Sequence, residues 1–264
     1  MPTPAERLRA LHAGATFVIP NPFGRGSSRL LAALGFEALA TTSSGLAASL
    51  GRRDMTTSRD QLLTHVTDLA AATDLPLHVD AERCFADDPA GVAETVRLLA
   101  EAGAAGCSIE DWNPAESRID PLPVSVERVT AAAEAARASG LVLTARCEHH
   151  IRGVDDLDAT VERLVAYRDA GAEVVYAPGL VDPDQIRRVV DDTGVAVNVL
   201  LLPTGPTVPE LAALGVRRVS LGGRLADAAY GAVVDQATAV RDNGALDTTL
   251  PRLEGQISAD AFDG

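Results

Sequence analysis

The stretch Glu94-Thr95-Val96-Arg97-Leu98-Leu99-Ala100-Glu101-Ala102-Gly103-Ala104-Ala105-Gly106-Cys107-Ser108-Ile109-Glu110-Asp111 changes its period halfway along. Up to Ala102 it continues an amphipathic pattern that begins at Pro89, with apolar residues at helical spacing. Gly103 then offers the left-handed residue that closes a helix. Gly106 to Glu110 reads as a buried strand that runs directly into two acids. A helix passed through glycine into such a strand is one unit of a parallel sheet with crossover helices.

The same junction recurs outward in both directions, at Leu34-Gly35-Phe36-Glu37-Ala38, Asp169-Ala170-Gly171-Ala172-Glu173 and Leu214-Gly215-Val216-Arg217-Arg218. Strands are expected at Thr16 to Pro20, Ala38 to Thr42, Leu77 to Asp80, Gly106 to Glu110, Val142 to Arg146, Glu173 to Tyr176, Val195 to Leu200 and Arg218 to Leu221. Between them, Arg59 to Thr73, Pro89 to Ala102, Val124 to Ala138, Asp155 to Ala170 and Asp184 to Asp191 read as amphipathic helices. Eight such units in 264 residues fit a (β/α)8 TIM barrel, whose usual size is ~250 residues. The barrel is placed at residues 1–242. The tail, 243–264, is expected to leave it and pack on a neighbouring subunit.

Composition narrows the function. A net charge of −14 argues against nucleic acid and anionic membrane surfaces as partners, and no apolar run approaches the ~18 residues of a membrane span. All 23 basic residues are arginine, which excludes Schiff-base chemistry through lysine. Cys84, Cys107 and Cys147 have no paired spacing and read as reduced thiols. With no basic and apolar leader at the N-terminus, a cytoplasmic location is expected.

In a barrel of this kind the chemistry lies at the C-terminal strand ends. There the sequence places Asp80 and Glu82 after the third strand and Glu110 and Asp111 after the fourth. Carboxylates gathered this way repel one another unless a cation or protons are shared, and an all-oxygen set suits Mg2+, with Mn2+ as a substitute. The metal set is therefore Asp80, Glu82 and Glu110, unless these acids simply pair with Arg83 and Arg146. Arg146 closes the fifth strand, where a fixed guanidinium can hold a carboxylate bidentately or bridge to Glu110 or Glu148. Ser43, Ser44, Gly45 and Leu46 offer hydroxyls and consecutive N–H groups for an anion, although a Ser-Gly turn needs no ligand. His78, one strand period inside Asp80, faces the same way as Asp80.

Together these residues resemble the isocitrate lyase and phosphoenolpyruvate mutase superfamily, particularly its small mutase-like and oxaloacetate decarboxylase-like members. The resemblance rests on Val18-Ile19-Pro20-Asn21-Pro22, Thr42 to Asp54, Ser108-Ile109-Glu110-Asp111, Thr144-Ala145-Arg146, Tyr176 to Leu180 and Val197-Asn198-Val199-Leu200. It implies Mg2+ at Asp80, Glu82 and Glu110, and an anion turn at Ser44, Gly45 and Leu46. It also implies a polar contact from Asp54, a carboxylate clamp at Arg146, and a last helix exchanged between subunits of a homodimer or homotetramer. The candidate catalytic residues are thus Asp54, Arg146 and Glu148. Ser43, Ser44, Gly45, Leu46, Arg146 and Asn198 are expected to bind a small anionic carboxylate substrate.

The departures from that pattern are local. Trp112-Asn113-Pro114-Ala115-Glu116-Ser117 stands where lyases of isocitrate and methylisocitrate carry a Lys/Arg-Cys-Gly-His loop, which argues against those two activities. Gly24 replaces an Asp, and Cys84-Phe85-Ala86 replaces a Gly-aromatic-Gly run, removing two glycines whose torsions other residues reach at a cost. The expected function is a Mg2+-dependent lyase or decarboxylase that breaks a C–C bond beside a 2-oxo acid through a pyruvate-like enolate. The rivals are a P–C bond enzyme, phosphonomutase or phosphonopyruvate hydrolase, and a barrel without turnover that serves as a binding or structural subunit.

Overall fold

In the computed structural model, which describes residues 1–250 and 252–263, eight parallel strands curl into a nearly closed barrel. These are β1 (Phe17–Ile19), β2 (Leu39–Ala40), β3 (Leu77–Asp80), β4 (Gly106–Glu110), β7 (Val142–Arg146), β8 (Val174–Tyr176), β9 (Ala196–Leu200) and β10 (Arg218–Ser220). They lie in the order β1-β10-β9-β8-β7-β4-β3-β2, and the Ala40 amide donates to the Pro20 carbonyl at 3.0 Å across the remaining seam. A two-stranded hairpin, β5 (Trp112–Asn113) and β6 (Arg118–Ile119), stands in the loop after β4.

The returning helices are α2 (Arg25–Ala33), α4 (Arg59–Ala70), α5 (Pro89–Glu101), α6 (Leu122–Ser139), α7 (Leu157–Asp169), α8 (Pro183–Thr193) and α9 (Val208–Ala213), with the short α3 (Ser43–Ser49) directly after β2. Several start on the side-chain caps that their sequences supply. Ser58 and Gln61 form a capping box, and Asp88, Asp156 and Asp182 each accept a first-turn N–H; such a cap contributes about 1 kcal/mol. The glycines of the recurring junction all adopt positive φ, Gly35 at 84°, Gly103 at 99°, Gly171 at 110° and Gly215 at 89°. The strand and helix positions agree with the sequence reading to within a few residues at each end.

Alternation along the strands divides the interior in two. Leu143 and Ala145 of β7, with Cys107 and Ile109 of β4, face outward into a large apolar shell under the helices. Facing inward, a smaller apolar plug of Phe17, Ile19, Ala38, Ala40, Ala105, Val142 and Val174 closes the N-terminal end of the barrel, sealed by Leu8 of α1 (Pro4–Ala13). Gly106 permits that seal, since a Cβ there would lie 3.0 Å from both Leu8 and His78 and 2.7 Å from the Val142 carbonyl. Above the plug the barrel interior is polar.

His12, in the last turn of α1, rests edge-on against Phe17 and lies 3.4 Å from the Arg218 guanidinium. Burial, reinforced by that charge, pushes its pKa from 6.5 down to about 3. The unfolded chain therefore takes up a proton that the folded chain refuses. Stability associated with His12 is intact above pH 6.5 and declines as pH falls towards 3, at up to about 1.4 kcal/mol per pH unit. Denaturant unfolding of His12→Phe from pH 7 to 4 is expected to give a shallower loss than the parent; equal slopes would rule His12 out as the titrating group.

After α10 (Arg224–Asn243), α11 (Gly255–Phe262) returns to lie against α2 of the same chain. Of the 243–264 segment, Pro251 and Gly264 fall outside the described residues. No helix among the described residues is long and apolar enough to cross a membrane.

Candidate active site

Pairing between strands places Glu110 beside Arg146, Arg146 beside Tyr176, Tyr176 beside Asn198, and Asn198 beside Arg218. Paired residues share a face, so one row crossing five strands carries these side chains towards the barrel axis. Arg146 is the centre of the row. Its guanidinium bonds Asp80 at 2.7 Å, Glu148 at 3.0 Å and Glu110 at 3.2 Å, and it packs 5.3 Å from the Tyr176 ring centroid. The pairing expected between Arg146 and the acids is present. Arg83 instead turns away to Asp120 at 2.8 Å.

One guanidinium cannot neutralise this many buried acids. Burial, then Glu148, raises the Glu110 carboxyl well above its ordinary range, and burial raises Glu148 as well. Glu82 is pushed up to about 7 by burial, with further contributions from Asp80 and Asp54. Glu110 Oε1 is buried and has no hydrogen-bond partner. Hard oxygen donors, excess negative charge and an orphaned carboxylate oxygen fit the chemistry of a divalent cation at Asp80, Glu82 and Glu110. The three do not converge into a ready ligand group: among the described residues no cluster of three or more His, Cys, Asp or Glu side chains is close enough to hold a metal.

A cavity of ≈ 180 Å³ opens above Arg146, lined by Ser43, Ser44, Asp54, Asp80, Asn198 and Gly223 among others. Asp54 stands exposed on its rim, where one carboxylate oxygen accepts from the Met55 amide. Ser43 directs its amide to Asp80 at 3.2 Å, and Ser44 shares a hydrogen bond with Thr42 at 3.0 Å. Asn198 is held at both ends, donating to Ser220 and accepting from Arg218.

Five expected site residues do not line the cavity: Gly45, Leu46 and Glu148, and Glu82 and Glu110 of the expected metal set. Gly45 packs where a Cβ would come within 2.5 Å of Thr42, and Leu46 is buried in the apolar shell with its amide bonded to the Thr42 carbonyl. The cause is that α3 begins at Ser43, so helical geometry turns the third and fourth residues away from the mouth. Glu148 is 1% exposed and reaches the cavity only through Arg146. It lies behind Arg146, because the chain leaves β7 at that residue and the strand alternation ends there.

The loop after β3 keeps a left-handed course without its glycines. Glu82, Cys84 and Phe85 have φ of 49°, 57° and 52°, conformations costing of order 1–3 kcal/mol each. Buried contacts hold them: Cys84 is sealed in the apolar shell, and its carbonyl accepts from Thr95 at 2.8 Å. His149 and His150 both meet Thr160.

A second buried network, which sequence reading missed, fixes the site from behind. Asp111 accepts from the Tyr167 hydroxyl at 2.7 Å, from Arg163 at 3.2 Å and from the Glu148 amide at 2.9 Å. Arg152, on the turn after β7, stacks 4.1 Å from the Trp112 ring centroid and lies 4.0 Å from Glu148. The hairpin after β4 is thereby tied to the arginine–carboxylate centre.

A parallel barrel with carboxylates and an arginine at the C-terminal ends of β3, β4 and β7 defines the class of the protein, a (β/α)8 barrel with its site in the usual place. The phosphoenolpyruvate phosphomutase family model matches residues 8–241. The chain belongs to that family, within the isocitrate lyase/phosphoenolpyruvate mutase superfamily. It is 34% identical over 251 residues to an uncharacterized protein of Mycobacterium tuberculosis (strain H37Rv), spanning 93% of this chain and 92% of that one. The 2-methylisocitrate lyase of Escherichia coli (strain K12) is 34% identical over 66% of this chain and 61% of its own. The oxaloacetate decarboxylase of Paraburkholderia xenovorans (strain LB400) is 32% identical over 88% and 79%. Among solved structures, a Burkholderia cenocepacia J2315 protein assigned broadly as a lyase/mutase superposes with TM-score 0.93 at 50% identity, over 98% of this chain and 95% of that one.

Proposed function

We propose that the protein is a Mg2+-dependent carbon–carbon lyase or decarboxylase acting on a small 2-oxo or dicarboxylic acid. The observation that carries this reading is Arg146, lining the cavity among Asp80, Glu110 and Glu148. The names of its relatives, a decarboxylase and a lyase of such acids, support it.

Asp80, Glu82 and Glu110 would hold the cation, which when bound supplies Lewis-acid stabilisation of the enolate charge left by bond cleavage. With Asp80 and Glu110 so engaged, Nη1 and Nη2 of Arg146 can take a substrate carboxylate bidentately. Glu148 keeps the guanidinium plane fixed through Nε, so the donors are in place before the charge develops. Ser43, Ser44 and Asn198 offer polar contacts around the same cavity.

Incubation with oxaloacetate and, separately, with phosphonopyruvate, each with Mg2+, tests the reaction. Pyruvate release from oxaloacetate above the metal-only rate, abolished by chelation, is expected. Phosphate release from phosphonopyruvate would move the protein to P–C chemistry, and neither product would favour a binding role.

The same proposal includes a homo-oligomer. Tyr230, Val233, Val234 and Val240 of α10, with Leu246 beyond it, are exposed, Val233 by 64%, an apolar face suited to a second copy of the chain. Light scattering is expected to show a dimer or tetramer, reduced to monomer by Val233→Glu/Val234→Glu. A monomeric parent protein would remove this part of the reading.

A further inference from the structure

Beneath Arg146 the barrel interior holds a second arginine with no counterion among the described residues. Arg218, at the start of β10, is 3% exposed. Its Nε donates to Asn198 Oδ1 at 2.8 Å, Nη2 to Thr144 Oγ1 at 3.0 Å, and Nη1 faces His12 Nε2 at 3.4 Å. All three partners are neutral. Of the five N–H groups a guanidinium presents, two have no protein acceptor among the described residues. Burial, opposed by the neighbouring Tyr176 phenol and reinforced by repulsion from Arg146, brings its pKa down to about 9. His78, bonded to Thr144 at 2.9 Å, stays neutral because burial, followed by Arg218, lowers its pKa.

A buried guanidinium without an anion is costly, and most such groups are paired. Arg218 also borders open space: with Asn198, Ser220, Tyr176 and His78 it lines the cavity that Ser43, Asp54 and Asp80 line as well. Thr144 sits one interior position below Arg146 on β7, so Arg218 lies about one side-chain layer deeper, on the order of 6–7 Å along a strand. The interior is thus a well with positive charge at its base and neutral hydrogen-bonding groups on its wall.

We propose that this well is an anion-binding site, with Arg218, held from behind by Thr144, as its charged base and Asn198 and Ser220 as its polar wall, and that it takes a single carboxylate group. That group is either the far carboxylate of the substrate or a free small carboxylate such as formate. The site goes beyond the reaction proposed above: Arg218, Thr144 and Ser220 have no part in that reading, and only Asn198 is common to both.

The test uses the full chain without metal. Crystals soaked in sodium bromide are expected to show an anomalous peak against the Arg218 guanidinium. Calorimetric titrations with formate and with succinate are expected to weaken at least 10-fold in Arg218→Gln and about 3-fold in Thr144→Val. Formate binding that depends on Arg218 identifies a free-anion site. Succinate binding that depends on Arg218, without formate binding, identifies a subsite for the substrate's far end. A bromide peak with both titrations unchanged in the variants means an adventitious ion only and overturns the proposal, as does the absence of any peak. If Arg218→Gln fails to fold, the bromide peak and Thr144→Val decide. None of these readouts involves turnover, so inactivity towards oxaloacetate would sink the reaction and leave the well standing, and a dry well would leave the reaction untouched.

Discussion

Arg146→Met is expected to abolish pyruvate release and to lower the unfolding midpoint by roughly 10 °C. Removing the guanidinium strands Asp80, Glu110 and Glu148 together. Breaking a buried ion pair from one side typically costs 3–5 kcal/mol, and a chain of this size loses about 2–4 °C per kcal/mol. Loss of a fixed donor from the developing charge costs a further ~10²–10³ in rate. Arg146→Lys is expected to recover most of the stability but little of the rate, because an ammonium cannot reproduce the bidentate fork.

The loss in Arg146→Met has a distinctive pH dependence. Glu110 and Glu148 are already raised above their ordinary 4.5 by burial, and without Arg146 they rise further. The folded variant then holds protons that the unfolded chain has released, so its deficit is full at high pH and shrinks as pH falls towards 4.5. Denaturant unfolding of parent and variant at pH 8 and pH 5 should show the gap narrowing. A gap that is constant or widens in acid would mean that the acids are not stranded by the substitution.

The second large effect belongs to Asp111. Asp111→Ala leaves the Tyr167 hydroxyl, the Arg163 guanidinium and the Glu148 amide without their acceptor, and is expected to destabilise by about 3–5 kcal/mol. Asp111→Asn is expected to recover only part, since its NH2 end meets donors. A double-mutant cycle with Arg163→Met should return a coupling above about 1 kcal/mol. A coupling near zero would show that Asp111 and Arg163 act independently.

Much of this was legible because the relevant signals are local. Gly35, Gly103, Gly171 and Gly215 announced themselves by following amphipathic runs, and their positive φ is a property of a few residues of chain. Asp80 and Arg146 could be placed because strand alternation holds to the last residue of β3 and β7. The same alternation carries Arg218 and Ser220 on either side of Val219, a signal that the interior is polar at β10 too. Where regular structure ends, prediction fails. Glu148 lies past the end of β7, and Leu46 is turned inward by a helix whose first residue decides its rotation. Asp111 and Tyr167 are 56 residues apart, and their meeting depends on how α7 is rotated against β4. The loop after β3 teaches a related point: it takes a left-handed course without glycine, because packing around Cys84 holds torsions that the residues themselves disfavour.

The stack of Arg152 on Trp112 makes the protein its own optical sensor. The chain contains a single tryptophan, and it sits on the hairpin at the rim of the barrel, with Arg152 linking it to Glu148 and so to Arg146. Intrinsic emission therefore reports from one place, without the averaging that several indoles impose. A cation or carboxylate that rearranges the arginine–acid centre would register as a change in the intensity or wavelength of that emission. Binding could then be followed in unlabelled protein, before any product is identified.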